Sequence, residues 1–204
     1  MEILHSIIEW IVQVVGQLGY PGIFIMMTLE SSFFIFPSEV VMIPAGYLAF
    51  QGEMNLYAVI FLGIAGSLTG SLLNYYLAVW LGRPFLMKFG KYVFLTPEKI
   101  EQVEKYFIRH GEISTFIGRL ITIVRQYISF PAGLAGMNIF RFILFTTLGA
   151  GLWVVILTLI GYVAADNQEL ITRYSKEASW GLLVFCVVLI GVYVWRQKRK
   201  KRAA

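Results

Sequence analysis

Apolar residues run along this chain in long stretches, and the polar residues that interrupt them fall in two similar places. Residues 3–18 put Leu4, Ile7, Ile8, Ile11, Val12, Val15 and Leu18 at helical spacing, with Glu9, Gln13 and Gln17 on another face. The spacing predicts an amphipathic helix over residues 1–20, short for a membrane span and ended by the break Gly19-Tyr20-Pro21-Gly22. Residues 55–81 carry no formal charge, and residues 139–163 carry only Arg141 near their start. Each run is long enough to cross a bilayer. Residues 178–195 form a last span, with Trp180 and Trp195 as interface anchors. Residues 82–112 and 164–177 are polar. Thr96-Pro97-Glu98 reads as a helix start and predicts a helix from Pro97 to Arg109, with Gly111 past its end.

Two apolar stretches are unlike simple spans. Residues 23–50 contain Glu30-Ser31-Ser32, Pro37-Ser38-Glu39 and Pro44-Ala45-Gly46. A straight spanning helix does not carry two prolines and two glutamates in that space. Broken backbone at membrane depth is tolerated only where protein or a water cavity covers it. The expectation is a re-entrant hairpin with Phe36-Pro37-Ser38 near its tip and breaks at Pro37, Ser38, Pro44 and Gly46. Residues 113–137 repeat the pattern: Gly118-Arg119 and Arg125-Gln126 interrupt apolar sequence and Pro131-Ala132-Gly133 closes it. The two Pro-Ala-Gly tripeptides lie 87 residues apart, and each precedes a short polar stop and a long span.

Composition excludes a soluble or disordered chain. Hydrophobic residues make up 58% of the 204 positions and charged residues 14%, with mean hydropathy +0.71. So much apolar surface points to one integral membrane domain. The net charge of +5 belongs to the tail. Arg196, Lys198, Arg199, Lys200, Lys201 and Arg202 lie in the last nine positions, and the rest of the chain holds 11 basic against 12 acidic residues. Beside an apolar span, such a tail suits anionic lipid headgroups on the cytoplasmic face rather than nucleic acid. With the tail inside, and with six Lys and Arg in residues 82–112, the two hairpins enter from opposite sides. That inverted relation is the transporter pattern for a site at the midplane. Gly66 and Gly70 form a GxxxG surface, which serves either internal packing or a homo-oligomer.

Glu30, Glu39, Arg119 and Arg125 stand in membrane-depth sequence. Each costs about 2.5–3.5 kcal/mol at a helix centre if unpaired. Two acids on one hairpin and two arginines on the other are least costly when paired. One reading is a fixed clamp between hairpins. Another is snorkelling of Arg119 and Glu30 to the interface. The functional reading is an anion site with a protonatable partner: arginine offers a charged planar fork to phosphate, and a carboxyl in a low-dielectric site titrates. Asn74, Tyr75 and Gln126 are candidate cavity-lining residues, with interface anchoring the alternative for Asn74, Tyr75 and Tyr76. His5 and His110 are far apart, so no metal site is expected. Ser31, Ser32 and Ser38 have no histidine near them for a relay, and no nucleotide fingerprint is present. No cofactor is expected. Cys186 alone forms no internal disulfide.

From Glu30 to about Tyr162 the sequence resembles the DedA family, the bacterial branch of proteins with a VTT (SNARE-associated) domain. The resemblance rests on Glu30, Phe36-Pro37-Ser38-Glu39 and Pro44-Ala45-Gly46, then Gly82-Arg83 and Phe116-Ile117-Gly118-Arg119. Val124-Arg125, Pro131 through Met137, Phe140, Trp153 and Gly161-Tyr162 complete it. It implies opposed re-entrant hairpins and lipid translocation between leaflets, with undecaprenyl phosphate and phosphatidylethanolamine among the substrates and use of the proton motive force. Other members are linked to envelope integrity and oxyanion uptake. Glu39 then matches a membrane acid implicated in proton coupling. Arg119 and Arg125 match the arginines of the family's Gly-Arg-Phe-Ile-Pro-x-x-Arg stretch. Thr122 replaces the proline of that stretch, leaving Gly118 and Thr122 to break the second hairpin. Asn74 stands where an acid is common.

The chain therefore reads as an all-α polytopic membrane protein of the bacterial inner membrane with a cytoplasmic C-terminus. It divides into an N-terminal helix (1–20), repeat 1 (21–81), a cytoplasmic linker (82–112), repeat 2 (113–163), a last span (178–195) and a basic tail (196–204). The function read from it is that of a lipid translocase rather than an enzyme. Arg119 and Arg125 hold the phosphate headgroup, with Glu39 as proton-coupling partner and Glu30 in support. A proton-coupled oxyanion transporter and a non-transporting envelope scaffold are the alternatives.

Overall fold

The computed structural model describes residues 2–32, 37–82, 97–121, 124–163, 165, 188 and 191–193, with the side chains of 2–15 and 97–100 outside that description. Phe36, Arg83, Thr122, Cys186, the basic tail and all but four residues of the span expected at 178–195 lie outside the described residues. Every regular element within them is helical: α1 Glu2–Glu30, α2 Glu39–Phe50, α3 Leu56–Leu77, a π-helical extension Ala78–Gly82, α4 Pro97–Leu120, α5 Val124–Tyr127, α6 Ser129–Leu134 and α7 Ile139–Val163. Two of these are long and apolar enough to cross a membrane, Leu56–Gly82 with 27 residues and Ile139–Val163 with 25.

The starts of both long helices are built alike. Asn55 caps α3, its Oδ1 accepting from the backbone N–H of Tyr57 (2.9 Å) and Ala58 (3.1 Å). Asn138 caps α7 in the same way, accepting from Phe140 (3.0 Å) and Arg141 (3.3 Å). These bonds satisfy amides that have no intrahelical partner. The preceding short helices also end alike. After α2, Glu53 N donates to Leu48 O and Gly52 N to Ala49 O; after α6, Met137 N donates to Ala132 O and Gly136 N to Gly133 O. Gly52 (φ 81°) and Gly136 (φ 60°) take the left-handed conformation this end requires.

Packing depends on backbones meeting where side chains are missing. A Cβ on Gly46 of α2 would overlap the carbonyl of Thr158 on α7, and one on Gly161 of α7 would overlap that of Ile43. α6 meets α3 likewise, Gly133 lying against the carbonyl of Tyr75. Gly66 lies on α1 at Phe24 O and Met27; 83 residues later Gly149 lies on α4 at Phe116 O and Arg119 Cβ. The Gly66/Gly70 surface is therefore used internally, against α1. Ile23, Met27, Val41, Met42, Val59, Val154 and Leu157 form one apolar core with Trp153; Tyr75, Phe107, Ile128, Ala132 and Phe142 form a second.

Several expected breaks are not breaks. The N-terminal helix does kink at Gly19 (φ 57°, ψ −146°) but resumes at once and runs to Glu30. Pro21 falls in the first turn after the kink, where its missing N–H is not needed. Pro44 and Gly46 lie inside α2. Pro44 removes one helical bond yet is buried within the helix, and Gly46 serves close approach to Thr158 rather than a turn. Gly118 is inside α4, its bare face filled by Ile128. Pro131 sits in the first turn of α6, and Gly133 inside the same helix. α4 does not stop at Arg109 but continues to Leu120. Gly111 lacks a positive φ and packs against Met137 and Phe107 instead of capping. The boundary expected at 112/113 thus falls within one helix. The chain does leave helix at Ser31-Ser32, at Pro37-Ser38 and again at Ile121.

Substituting leucine for Gly46 or Gly161 should separate α2 from α7, with a cost at or above the roughly 1–3 kcal/mol of ordinary overpacking. Thermal unfolding in detergent should fall clearly for both variants and stay unchanged for Gly191→Ala, whose added Cβ meets nothing within 4 Å. An unaltered midpoint for Gly46→Leu would refute the close approach.

Candidate functional site

The interruptions in the helices meet at one place. Glu30 is the last residue of α1, Ser38 precedes α2, Arg119 is in the last turn of α4, and Arg125 lies in the single turn of α5. Arg125 Nη2 donates to Glu30 Oε1 at 2.5 Å and to Ser38 Oγ at 2.8 Å. Gln126 Nε2 donates to the same Glu30 oxygen at 3.1 Å, while Ser31 Oγ donates to Oε2 at 2.8 Å. Glu30 therefore accepts three hydrogen bonds. Arg119 donates through Nη1 to the carbonyl of Arg125 (3.1 Å) and through Nη2 to Ser129 Oγ. Its Cβ rests where Gly149 leaves room.

Burial decides between the readings of these charges. Glu30 is 2% exposed, Arg119 3% and Arg125 6%. None of them snorkels, so the interfacial alternative for Arg119 and Glu30 fails. Pairing is needed because a lone buried charge is strongly unfavourable, although the pair itself need not add net stability. Among the described residues both arginines keep one buried donor unspent: their Nε atoms have no partner there.

Glu39 behaves differently from Glu30. It opens α2, where the helix dipole favours an acid. It makes no ion pair among the described residues, and its Oε2 is buried without a partner. The acid that meets an arginine is thus Glu30. Asn74 is buried on α3 and donates through Nδ2 to the carbonyls of Ser31 (3.2 Å) and Ser32 (2.6 Å), groups left over where α1 ends. Tyr75 is buried elsewhere, in the second core, with its hydroxyl on Met137 O at 2.5 Å and its ring 4.7 Å from Phe142. Interface anchoring therefore suits only Tyr76, which is exposed and packs beside Trp80. Gly46 and Gly133 lie at helix contacts and Pro44 and Pro131 within helices, away from the side chains that bond at this site.

Two contributors were not among the site residues expected from sequence, although Trp153 counts toward the family resemblance. Trp153 donates its indole N–H to Ser38 Oγ at 3.0 Å, and the Arg125 guanidinium carbon lies 5.6 Å from the indole centroid. The signal for Trp153 is its place in mid-span. An indole away from the interface belts needs a partner for its N–H. Ser129 had no such signal, being one small polar residue among apolar ones.

Comparison with known proteins finds relatives along nearly the whole chain. Residues 36–163 match the VTT domain. An uncharacterized membrane protein of Bacillus subtilis, YkoX, is 32% identical over 99% of this chain and 89% of its own length. Undecaprenyl phosphate transporter A of the same organism is 29% identical over 97% of this chain and 96% of its own. The inner membrane protein YqjA of Escherichia coli is 28% identical over 92% and 89%. No solved structure matches the chain.

Removing one partner of the buried pair should destabilise the fold by about 3–5 kcal/mol, since the other charge is left stranded. Arg125→Met should lower the unfolding temperature in detergent, and adding Glu30→Gln should restore much of it. Equal instability of the double variant and Arg125→Met would show that the pair is not the source.

Proposed function

The chain belongs to the VTT-domain (DedA) family of membrane proteins, and we propose that it moves a phosphate-headgroup lipid between the two leaflets of the membrane. The observation that carries this reading is the pair of buried arginines with unspent Nε–H donors beside one engaged carboxylate. A phosphate has acceptors on every side and suits such donors. The relative named for undecaprenyl phosphate makes a polyprenyl phosphate the first substrate to try.

In this reading the headgroup binds Arg119 and Arg125 while its chain stays in lipid. Glu30 holds Arg125 between turnovers and competes with the phosphate. Protonation of Glu30 weakens its grip and lets the headgroup in. Glu39, one residue from Ser38, supplies a second protonatable group, and proton flow couples to transport through these two acids. The helix interruptions at Ser31-Ser32, at Pro37-Ser38 and at Ile121 belong to the tips of opposed re-entrant hairpins in an inverted repeat. Matched asparagine caps, matched helix ends and matched glycine contacts support that reading. The tail faces the cytoplasm, where anionic lipid attracts it. No covalent step is required.

Leaflet exchange of a short-chain polyprenyl phosphate in proteoliposomes tests the reading. Arg125→Lys keeps the charge but loses the fork, and exchange should fall at least tenfold. Glu30→Gln and Glu39→Gln should each abolish the response to a pH gradient. Uptake of inorganic phosphate into the same vesicles should be absent; uptake without lipid exchange would transfer the site to a free oxyanion. Full exchange by Arg125→Lys would remove the phosphate-fork mechanism.

A further inference from the structure

Trp153 reaches Arg125 by two routes, and only one of them is packing. Its ring lies beneath the guanidinium at cation–π range. Its N–H, which can only donate, holds Ser38 Oγ. Ser38 is wholly buried and accepts from Arg125 Nη2 as well, so its two lone pairs are both used. Nη2 carries two hydrogens, and Glu30 and Ser38 take them. The guanidinium is thus anchored at its Nη2 corner and flanked by an indole face, while Nε remains buried and without a partner among the described residues.

The matched position on the other long helix has no such group. Gly66 and Gly149 make equivalent contacts 83 residues apart. The same step from Trp153 leads back to Gly70, which closes directly on α1 at the carbonyl of Thr28 and at Ser31. One long helix offers bare backbone at this level, and the other offers an amphipathic ring aimed into the site. Filling space alone would be met by any large apolar residue. An indole with its N–H spent on the serine that holds Arg125 does more.

We infer that Trp153 is a positioning residue for headgroup recognition: with Ser38 it locks Arg125 by its Nη2 corner and so keeps the Nε edge turned toward the phosphate of the lipid. The inference rests on the lipid-phosphate reading above. It assigns Trp153 no proton and no bond to substrate. Losing the indole N–H frees Ser38 and loosens Arg125, so the headgroup binds more weakly. Once bound, the phosphate reorients the guanidinium itself, and the rate at saturation changes little.

Trp153→Phe keeps an aromatic face and removes the N–H together with the five-membered ring. In proteoliposomes carrying a short-chain polyprenyl phosphate, it should raise the half-saturating lipid concentration about fivefold, the scale of one hydrogen bond. The saturating rate should stay within twofold, and thermal unfolding in detergent should fall only modestly, from the lost ring volume and the unfilled lone pair of Ser38. Trp153→Leu removes the face too and should raise the half-saturating concentration further. Unchanged half-saturation in Trp153→Phe, with exchange still lost in Arg125→Lys, would overturn the role of Trp153 and leave the lipid-phosphate reading standing. A fall in rate and stability without a change in half-saturation would also overturn it, because that is the mark of a packing residue. Normal exchange in Arg125→Lys would overturn the reading on which the inference depends.

Discussion

The Arg125–Glu30 pair joins two helix interruptions separated by 95 residues of sequence. An interruption in an apolar surrounding leaves backbone groups that water cannot reach, and these must be satisfied from inside. The charged and polar side chains at this place do so. Asn74 takes the carbonyls of Ser31 and Ser32, and Arg119 takes that of Arg125. The arginines then need a counter-charge, which Glu30 supplies, and Glu30 needs further donors, which Gln126 and Ser31 supply. Each of these groups is held because the next one is there. The two Nε atoms are buried without a partner among the described residues, so the site ties the structure together and still holds unused donors.

The same constraint explains the glycines. Polar groups from α1, α2, α4 and α5 converge only if the helices bearing them pass the long helices at backbone distance. Gly149 brings the base of Arg119 onto α7, and Gly70 brings Ser31 onto α3 within reach of Asn74. Between the long helix pairs, small residues replace the hydrophobic drive that lipid does not provide.

The sequence made the long helices and the four charges legible because both rest on composition in a window. Leu56–Gly82 and Ile139–Val163 lie within a residue of the apolar runs 55–81 and 139–163. Glu30 and Arg125 could be expected to meet because opposite charges in an apolar run have few other options. Local propensity misled at Pro44, Gly46, Gly118 and Pro131, which read as punctuation. In the fold, Pro44 is buried within its helix, Pro131 sits in a first turn, and the glycines are surfaces for a neighbouring helix. Whether a glycine ends a helix or admits another depends on a partner distant in sequence. That also hid the continuation of α4 through Gly111, whose justification is Met137. The pairing of Arg125 with Glu30 rather than Glu39 was hidden for a related reason. Position in the chain gives two acids, but only the fold shows which one faces Arg125.

Asn74 shows how one atom type divides the labour of the site. It ties the end of α1 through two N–H bonds from a single nitrogen. A carboxylate at this position could accept but not donate, so it could make neither bond unless protonated, and then only one. An amide does not titrate, which makes the tie at Ser31 and Ser32 independent of pH. A carboxyl at this position would make the tie depend on protonation, which the amide of Asn74 does not. In the proposed cycle pH sensitivity is confined to Glu30 and Glu39, so the end of α1 stays in place while the grip on Arg125 changes. A headgroup site that must release one partner without losing its scaffold is served by that separation.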